Sequence, residues 1–332
     1  MVTSRRAGKT LVTGATGFLG HHLIPLLREA GYRVRALARK NSDTSFLAAN
    51  NVEIVCGDVR DRDSLSGMMQ GCDYVIHAAA FFRFWGDENY FEQVNVQGTA
   101  NVLEAAARNQ VSRFIHISSV AVIGLPQGNV IDEAHPCNPL DPYQKSKLYA
   151  EKMVKMYHEG SMLPTIILRP GAFYGPWSHY AWNRLFFEDP MRGLLIKING
   201  GKHLTFPVYV PDVARSILLA MLHGTSGETY NISGAPITHN AANRIISDLA
   251  GLPSFRLNIP SQVMLMFAQY QTRRANRLGK EPYYPTNLAK YVFYDWNVSS
   301  RKAREQLNFT PTPFEDGARE TVKWYREIGM LK

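Results

Sequence analysis

The chain has 332 residues, 45% of them hydrophobic, and a formal net charge of +9. That is enough apolar material to bury a large core, which excludes a disordered chain and leaves two domains or one elaborated α/β domain. Isolated Cys56, Cys72 and Cys137 exclude a disulfide framework and lack metal-ligand spacing, so free thiols in a reducing, cytoplasmic setting and no metal site are expected.

The N-terminus carries Arg5 and Arg6 and passes at once into a strand pattern, so no signal-peptide core is expected. No later apolar run approaches the roughly 18 residues of a membrane span. The first strand, Thr10-Leu11-Val12, leads into Thr-Gly-Ala-Thr-Gly-Phe-Leu-Gly (13–20). A helix over 17–30 follows, with Phe18, Leu19, Leu23, Ile24 and Leu27 on one face and an awkward Pro25 that threatens a kink. Strand, glycine turn and helix N-terminus make a pyrophosphate cradle, because the helix end offers unpaired N–H groups and a positive dipole. Gly14 serves the tight turn, Gly17 the approach to phosphate, and Gly20 close helix–strand packing. Thr16, Phe18 and Leu19 belong to the same cofactor loop.

A second strand spans Val34–Leu37. An NAD enzyme carries an acidic residue here, about 20 residues past the glycines, for the ribose 2′-OH. This chain reads Arg35-Ala36-Leu37-Ala38-Arg39-Lys40, without a carboxylate. Arg39, with Arg35 or Lys40, suits a 2′-phosphate, so NADP is favoured over NAD; the plainer reading is a solvent-facing strand end. A third strand, Val52–Val55, precedes Asp58 and Val59. Asp58 is a candidate for the adenine amino group or a simple turn aspartate. After a helix at 61–70 and a strand at Tyr74–His77, the small residues Ala78, Ala79 and Ala80 leave room for a cofactor.

A helix over 89–109 and a strand at Phe114–Ile117 lead to Ser118 and Ser119, at the sheet edge where open parallel sheets bind ligands. The next helix, 143–159, begins with Tyr143 and Lys147, four apart and so on one face. A nearby cation favours phenolate and makes a tyrosine a usable acid or base. A serine hydroxyl beside it can hold a substrate oxygen; the alternative is a turn hydroxyl. A sixth strand, Thr165–Leu168, ends the alternation. The segments then turn irregular through about 210, and a strand at Thr229–Ile232 returns to the sheet. The remainder reads as helices and aromatic-rich loops. Among them Arg273, Arg274, Arg277 and Lys280 form the densest basic cluster. It is either a solvated helix face or a patch for a nucleic acid or membrane surface, and no nucleic-acid-binding motif is present. The expected architecture is an α/β doubly wound parallel sheet of Rossmann type with a smaller C-terminal substrate lobe. Residues 1–170, with the return strand near 228–232, form the nucleotide domain; 171–332 mainly form the lobe.

Together these motifs resemble the extended short-chain dehydrogenase/reductase family over nearly the whole chain. The glycine run, Asp58, Asn95-Val-x-Gly-Thr99, Ser118-Ser119, Tyr143-x-x-x-Lys147, Leu168-Arg-Pro-Gly171 and Tyr174-Gly-Pro176 stand in the family's order. The resemblance implies that Ser119, or alternatively Ser118, positions the substrate oxygen and that Tyr143 is the proton donor or acceptor. It implies that Lys147 lowers the Tyr143 pKa and holds the nicotinamide ribose. Pro170 and Gly171 would border the nicotinamide, and Asn95 would fix a helix near the site. It also implies a homodimer through helices 89–109 and 143–159.

The nucleotide-sugar epimerases of this family carry an Asn before Tyr-Gly-Pro and an Arg-Asp pair that clamps a pyrophosphate. Here Thr205 and Phe206 take the places of that pair, with Lys202 and Arg184 as possible substitutes. The chain looks closer to the dihydroflavonol reductase and 3β-hydroxysteroid dehydrogenase branch. That branch lines its cleft with residues matching Phe81, Phe82, Phe84 and Trp85, and with Phe173, His179, Tyr180 and Trp182; Phe173 also borders the cofactor. Inter-lobe packing is the alternative for each. Met264, Met266 and Phe267 either roof the site or belong to the core. The resulting expectation is an NADP-dependent ketone reductase or alcohol dehydrogenase for an apolar or aromatic small molecule. The alternatives are a nucleotide-sugar enzyme and a non-catalytic NADP-binding regulator.

Overall fold

The computed structural model describes residues 8–128 and 130–331; the stretch with Arg5 and Arg6 lies outside them. Strands β1 (Lys9–Thr13), β2 (Arg33–Ala38), β3 (Glu53–Cys56), β4 (Tyr74–His77), β5 (Arg113–Ile117), β6 (Thr165–Pro170) and β7 (Thr229–Ile232) form one sheet. Its order is β7-β6-β5-β4-β1-β2-β3, and every pairing is parallel. Parallel strands need crossovers, and the helices that provide them cover both faces. Val12, Ile76, Ile115, Ile117, Ile166 and Leu168 bury one face. Leu11, Val75, Phe114 and Ile167, the alternate positions, bury the other.

The first face is covered by α1 (Phe18–Glu29) and by the helix Val210–His223, which pack together. The second is covered by α2 (Gly98–Arg108) and α3 (Pro142–Glu159). The expected helix at 89–109 is present as Glu88–Phe91, a π-turn at Glu92–Gln97 and α2 in succession. Helix α1 runs through Pro25 rather than breaking there. The expected helix at 61–70 does not form: only Asp63–Leu65 makes a short 3-10 turn, because Gly67, in the middle of the span, takes positive φ.

Past Pro170, apart from β7, the named strands pair only in short two-stranded pieces. Ala172–Tyr174 pairs with Pro207–Tyr209, Leu204–Thr205 with Ile237–Thr238, and Ile196–Ile198 with Leu257–Ile259. Aromatic packing holds this part together. Tyr174, Trp182, Phe187, Trp324 and Tyr325 share one cluster with helices His239–Ala250 and Phe314–Glu327.

Gly20 fixes how closely α1 lies on the turn that precedes it. A Cβ there would sit 2.0 Å from the Ala15 carbonyl oxygen, which is backbone and cannot step aside. Gly20→Ala is expected to cost about 1–3 kcal/mol. A melting curve checks it, with a midpoint several degrees below wild type; an unchanged midpoint would contradict the packing.

Candidate active site

A cavity of about 570 Å³ opens at the carboxyl edge of the sheet, where the strand order reverses between β1 and β4. At its cofactor end lie Gly14, Thr16, Gly17, Phe18 and Leu19, then Arg39, Asp58 and Val59, then Ala78, Ala79 and Ala80. Gly14 has φ +73°, and a Cβ there would meet the Ala78 carbonyl at 2.7 Å. The turn therefore excludes any side chain between the ends of β1 and β4. Helix α1 begins after Gly17 with no side-chain cap and no acidic residue in its first turn. Its terminal N–H groups remain available to an anion. These features fit a dinucleotide.

The basic residues after β2 separate in the structure. Arg35 is consumed: it pairs with Glu53 at 2.6 Å and donates to the Met68 carbonyl at 2.6 Å, so it cannot read a 2′-phosphate. Lys40 is exposed and does not line the cavity. Arg39 does line it, and its guanidinium makes no hydrogen bond or ion pair among the described residues. The Asp58 carboxylate is held by Arg60 at 2.7 Å, and that bond lowers its pKa. Arg60 itself lines the cavity and was not anticipated; the Asp-x-Arg spacing in the turn after β3 was its only signal.

Ser118, Ser119, Tyr143, Lys147, Pro170 and Gly171 meet on the opposite wall. Asp141 caps α3 by accepting from the Gln144 N–H at 2.9 Å, which sets the start of the helix and the direction of Tyr143 and Lys147. Ser119 accepts from the Ala121 N–H at 3.2 Å, and its hydroxyl hydrogen-bonds Tyr143. Burial pushes the Tyr143 phenol well above its ordinary value, and the Ser119 bond opposes that push. The nearby Asp141 charge adds to the push, and the expected lowering by Lys147 is not seen. The Lys147 ammonium is turned onto the Ile117 carbonyl at 2.6 Å. Burial lowers its pKa to about 8, with Glu151 pulling the other way.

Asn95 stays outside the lining. It sits in the π-turn, accepts from the Phe81 N–H at 2.7 Å and donates to Ser146 Oγ at 2.8 Å. Ser146 in turn donates to the Tyr143 carbonyl at 2.8 Å, so Asn95 joins the Phe81 loop to α3. Beneath Lys147 lie two fully buried histidines. His77 bridges Thr13 Oγ1 at 2.8 Å and Thr99 Oγ1 at 3.0 Å. His116 stacks on it at 5.5 Å, with both ring nitrogens unpartnered among the described residues. Burial, reinforced by the Lys147 charge, takes His77 down to about 3 and His116 well below its ordinary range.

The substrate end is aromatic. Phe82 lies 4.8 Å from the Tyr143 ring, and Phe84 and Tyr180 complete a cluster with it at 5.3–5.7 Å. Phe81, Phe173 and Trp182 also line this end, with Tyr291 entering from a distant part of the chain. Two expected residues are displaced. Trp85 points to helix Ser261–Leu278, donating to Asn276 Oδ1 at 2.7 Å. His179 turns away to Glu188, at 2.6 Å, and to Trp324. The candidate pyrophosphate groups do not assemble. Thr205 accepts from Trp182 Nε1 at 3.1 Å and Phe206 stacks on Trp296. Arg184 donates to the Tyr283 carbonyl, and neither it nor Lys202 lines the cavity.

The model of the NAD dependent epimerase/dehydratase family matches residues 10–233. A protein named sterol demethylase protein B from Methylococcus capsulatus is 30% identical, over 97% of this chain and 99% of its own. A putative dihydroflavonol 4-reductase from Synechocystis is 30% identical, over 97% and 95%. The crystal structure of gox2253 superposes with a TM-score of 0.84 at 31% identity, covering 98% of this chain and all of that one.

The histidine pair makes stability depend on acid. Each unfolded imidazole takes a proton near pH 6.5, while the folded, neutral ring does not until far lower pH. Stability is therefore lost as pH falls below 6.5. Denaturant titrations across that range are expected to give a slope shallower by roughly 1 kcal/mol per pH unit in His116→Leu. Parallel slopes would contradict the buried, neutral assignment.

Proposed function

The chain belongs to the NAD dependent epimerase/dehydratase family, within the extended short-chain dehydrogenase/reductases, and we propose that it is an NADP-dependent ketone reductase or secondary alcohol dehydrogenase for an apolar or aromatic small molecule. One observation carries this reading: the substrate end is walled by Phe82, Phe84, Tyr180 and Trp182, while the positions for a pyrophosphate clamp hold Thr205 and Phe206. A charged diphosphate needs paired cations; aromatic walls suit an apolar body with a few polar contacts. The names of the sterol and dihydroflavonol relatives agree with such substrates.

Bound in the glycine cradle, the dinucleotide supplies a transferable hydride. The protein orients the substrate and moves a proton. Ser119 holds the substrate oxygen through its hydroxyl, beside Tyr143. The Tyr143 phenol, kept neutral by burial, delivers its proton to that oxygen as carbonyl becomes alcohol, and takes it back in the reverse direction. Lys147, as a cation, would hold the nicotinamide ribose and favours phenolate once the proton has left. Pro170, Gly171 and the alanines after β4 would confine the nicotinamide, and the aromatic wall would exclude water. Residues 1–170 with β7 serve the cofactor and 171–332 mainly the substrate. A homodimer through 89–109 and 143–159 is part of the reading, supported by exposed Tyr149 and Met156 on α3.

Calorimetric titration tests the cofactor. NADPH is expected to bind more tightly than NADH, and Arg39→Ala to weaken NADPH roughly ten- to hundredfold while sparing NADH. Added UDP or dTDP should leave the titration unchanged. Equal losses for both cofactors, or binding of either diphosphate, would overturn the assignment. The pH profile tests Lys147. Its charged form prevails below about 8, so kcat/KM is expected to fall as pH rises through that value. Lys147→Arg should carry the fall to higher pH; an unmoved limb would place the titration elsewhere.

A further inference from the structure

Helix Ser261–Leu278, here α4, has two working faces. On the inner face, Met264 and Ala268 line a second chamber of about 90 Å³. That chamber shares Leu185, Phe186, Leu288 and Val292 with the main cavity. Polar ties hold this face down. Gln271 Oε1 accepts from the Tyr284 N–H at 3.0 Å, and Asn276 Oδ1 accepts from the Trp85 indole. The helix is thus a wall of the substrate region.

Most of the outer face has no partner among the described residues; Phe267, at its edge, has its ring 6.4 Å from that of Tyr284. At 100° per residue, Val263, Met266, Phe267 and Tyr270 fall on one side. All four are exposed, and Phe255 and Leu257 stand exposed just before the helix. Met266 at 69% and Phe255 at 68% are too open to be core, and so many neighbouring large apolar side chains exceed ordinary surface scatter. The same side continues into Arg274 and Arg277, flanked by Arg273 and Lys280. None of these cations has a side-chain hydrogen bond or ion pair among the described residues, and α4 contains no acidic residue. An apolar patch alone would suit another protein surface, and a basic patch alone a nucleic acid. An apolar stripe and unpaired cations side by side on one helix match the interface of an anionic bilayer, where side chains enter the acyl boundary and arginines meet headgroups.

We propose that the outer face of α4 docks the protein on an anionic lipid bilayer and that apolar substrate passes from the bilayer into the cavity behind the helix. The association is peripheral: no helix among the described residues is long and apolar enough to cross a membrane. The loading role rests on the apolar-substrate reading above; the docking does not, and vesicle binding is scored without turnover, so the two fail separately.

The test is sedimentation of the full chain with vesicles of phosphatidylcholine alone and of equal parts phosphatidylcholine and phosphatidylglycerol. Binding is expected to the anionic vesicles and to weaken with added salt. R273Q/R274Q/R277Q should lose roughly fivefold in partition per arginine removed. Met266→Ser with Tyr270→Ser should weaken binding as well. Both variants should turn over a water-soluble ketone as wild type does, because none of these side chains lines the cavity. Equal partition to both vesicle types, or none to either, overturns the proposal. So does retention on an oligonucleotide without vesicle binding. If M266S/Y270S instead splits an oligomer and leaves vesicle binding intact, the patch is a contact between copies and the proposal falls.

Discussion

The burial of Lys147 under the carboxyl ends of β4 and β5 is the constraint that the rest of the site is built around. An ammonium that is 2% exposed is costly unless something nearby accepts its hydrogens. The Ile117 carbonyl does so at 2.6 Å, at the point where β5 gives way to Ser118 and Ser119. The buried Arg169–Glu151 pair anchors α3 one turn further along, tying it to the end of β6 at 2.6 Å. With α3 pinned at both places, Tyr143 has little choice but to face Ser119. Burial, reinforced by the same positive charge, suppresses protonation of His77 and His116, so the layer below the site stays neutral.

From that fixed wall the cavity divides by chemistry. Towards β1 to β3 it is backbone and cation: glycine turn, helix N-terminus, Arg39 and Arg60. Away from the sheet it is aromatic. The division follows from topology. The parallel sheet delivers its loops to one edge, so the glycine turn and the loops after β2 and β3 contribute phosphate-seeking groups, while the loop after β4 and the irregular C-terminal part together contribute aromatic bulk. Phe82 sits at the border, 4.8 Å from the Tyr143 ring, where, on the proposed reading, an apolar substrate would meet the phenol.

The sheet was legible because buried parallel strands are apolar on both faces, and the limits of β4 and β7 agree with the expected ones. The glycine turn could be read from its local spacing, and the sequence grouped Ser119, 24 residues upstream, with Tyr143 and Lys147 from its place at a strand end; the structure brings all three to one cavity. Three kinds of feature were not legible. The helix expected at 61–70 failed at Gly67, whose positive φ no apolar period reveals. The fates of Arg35, Trp85 and His179 were set by Glu53, Asn276 and Glu188, partners that only the fold brings near. The C-terminal part gave no pattern because its strands are two or three residues long and pair across distant stretches. Tyr291 enters the site from such a stretch, and His116 gave no sign that its ring would be sealed without partners.

The most direct measurement is isotope transfer from NADPH deuterated at nicotinamide C4 to an apolar aryl ketone. The account predicts stoichiometric NADP formation with the deuterium on the carbinol carbon of the product, abolished in Tyr143→Phe. No net oxidation of the cofactor, with label instead exchanged at a sugar carbon of an added nucleotide sugar, would contradict it.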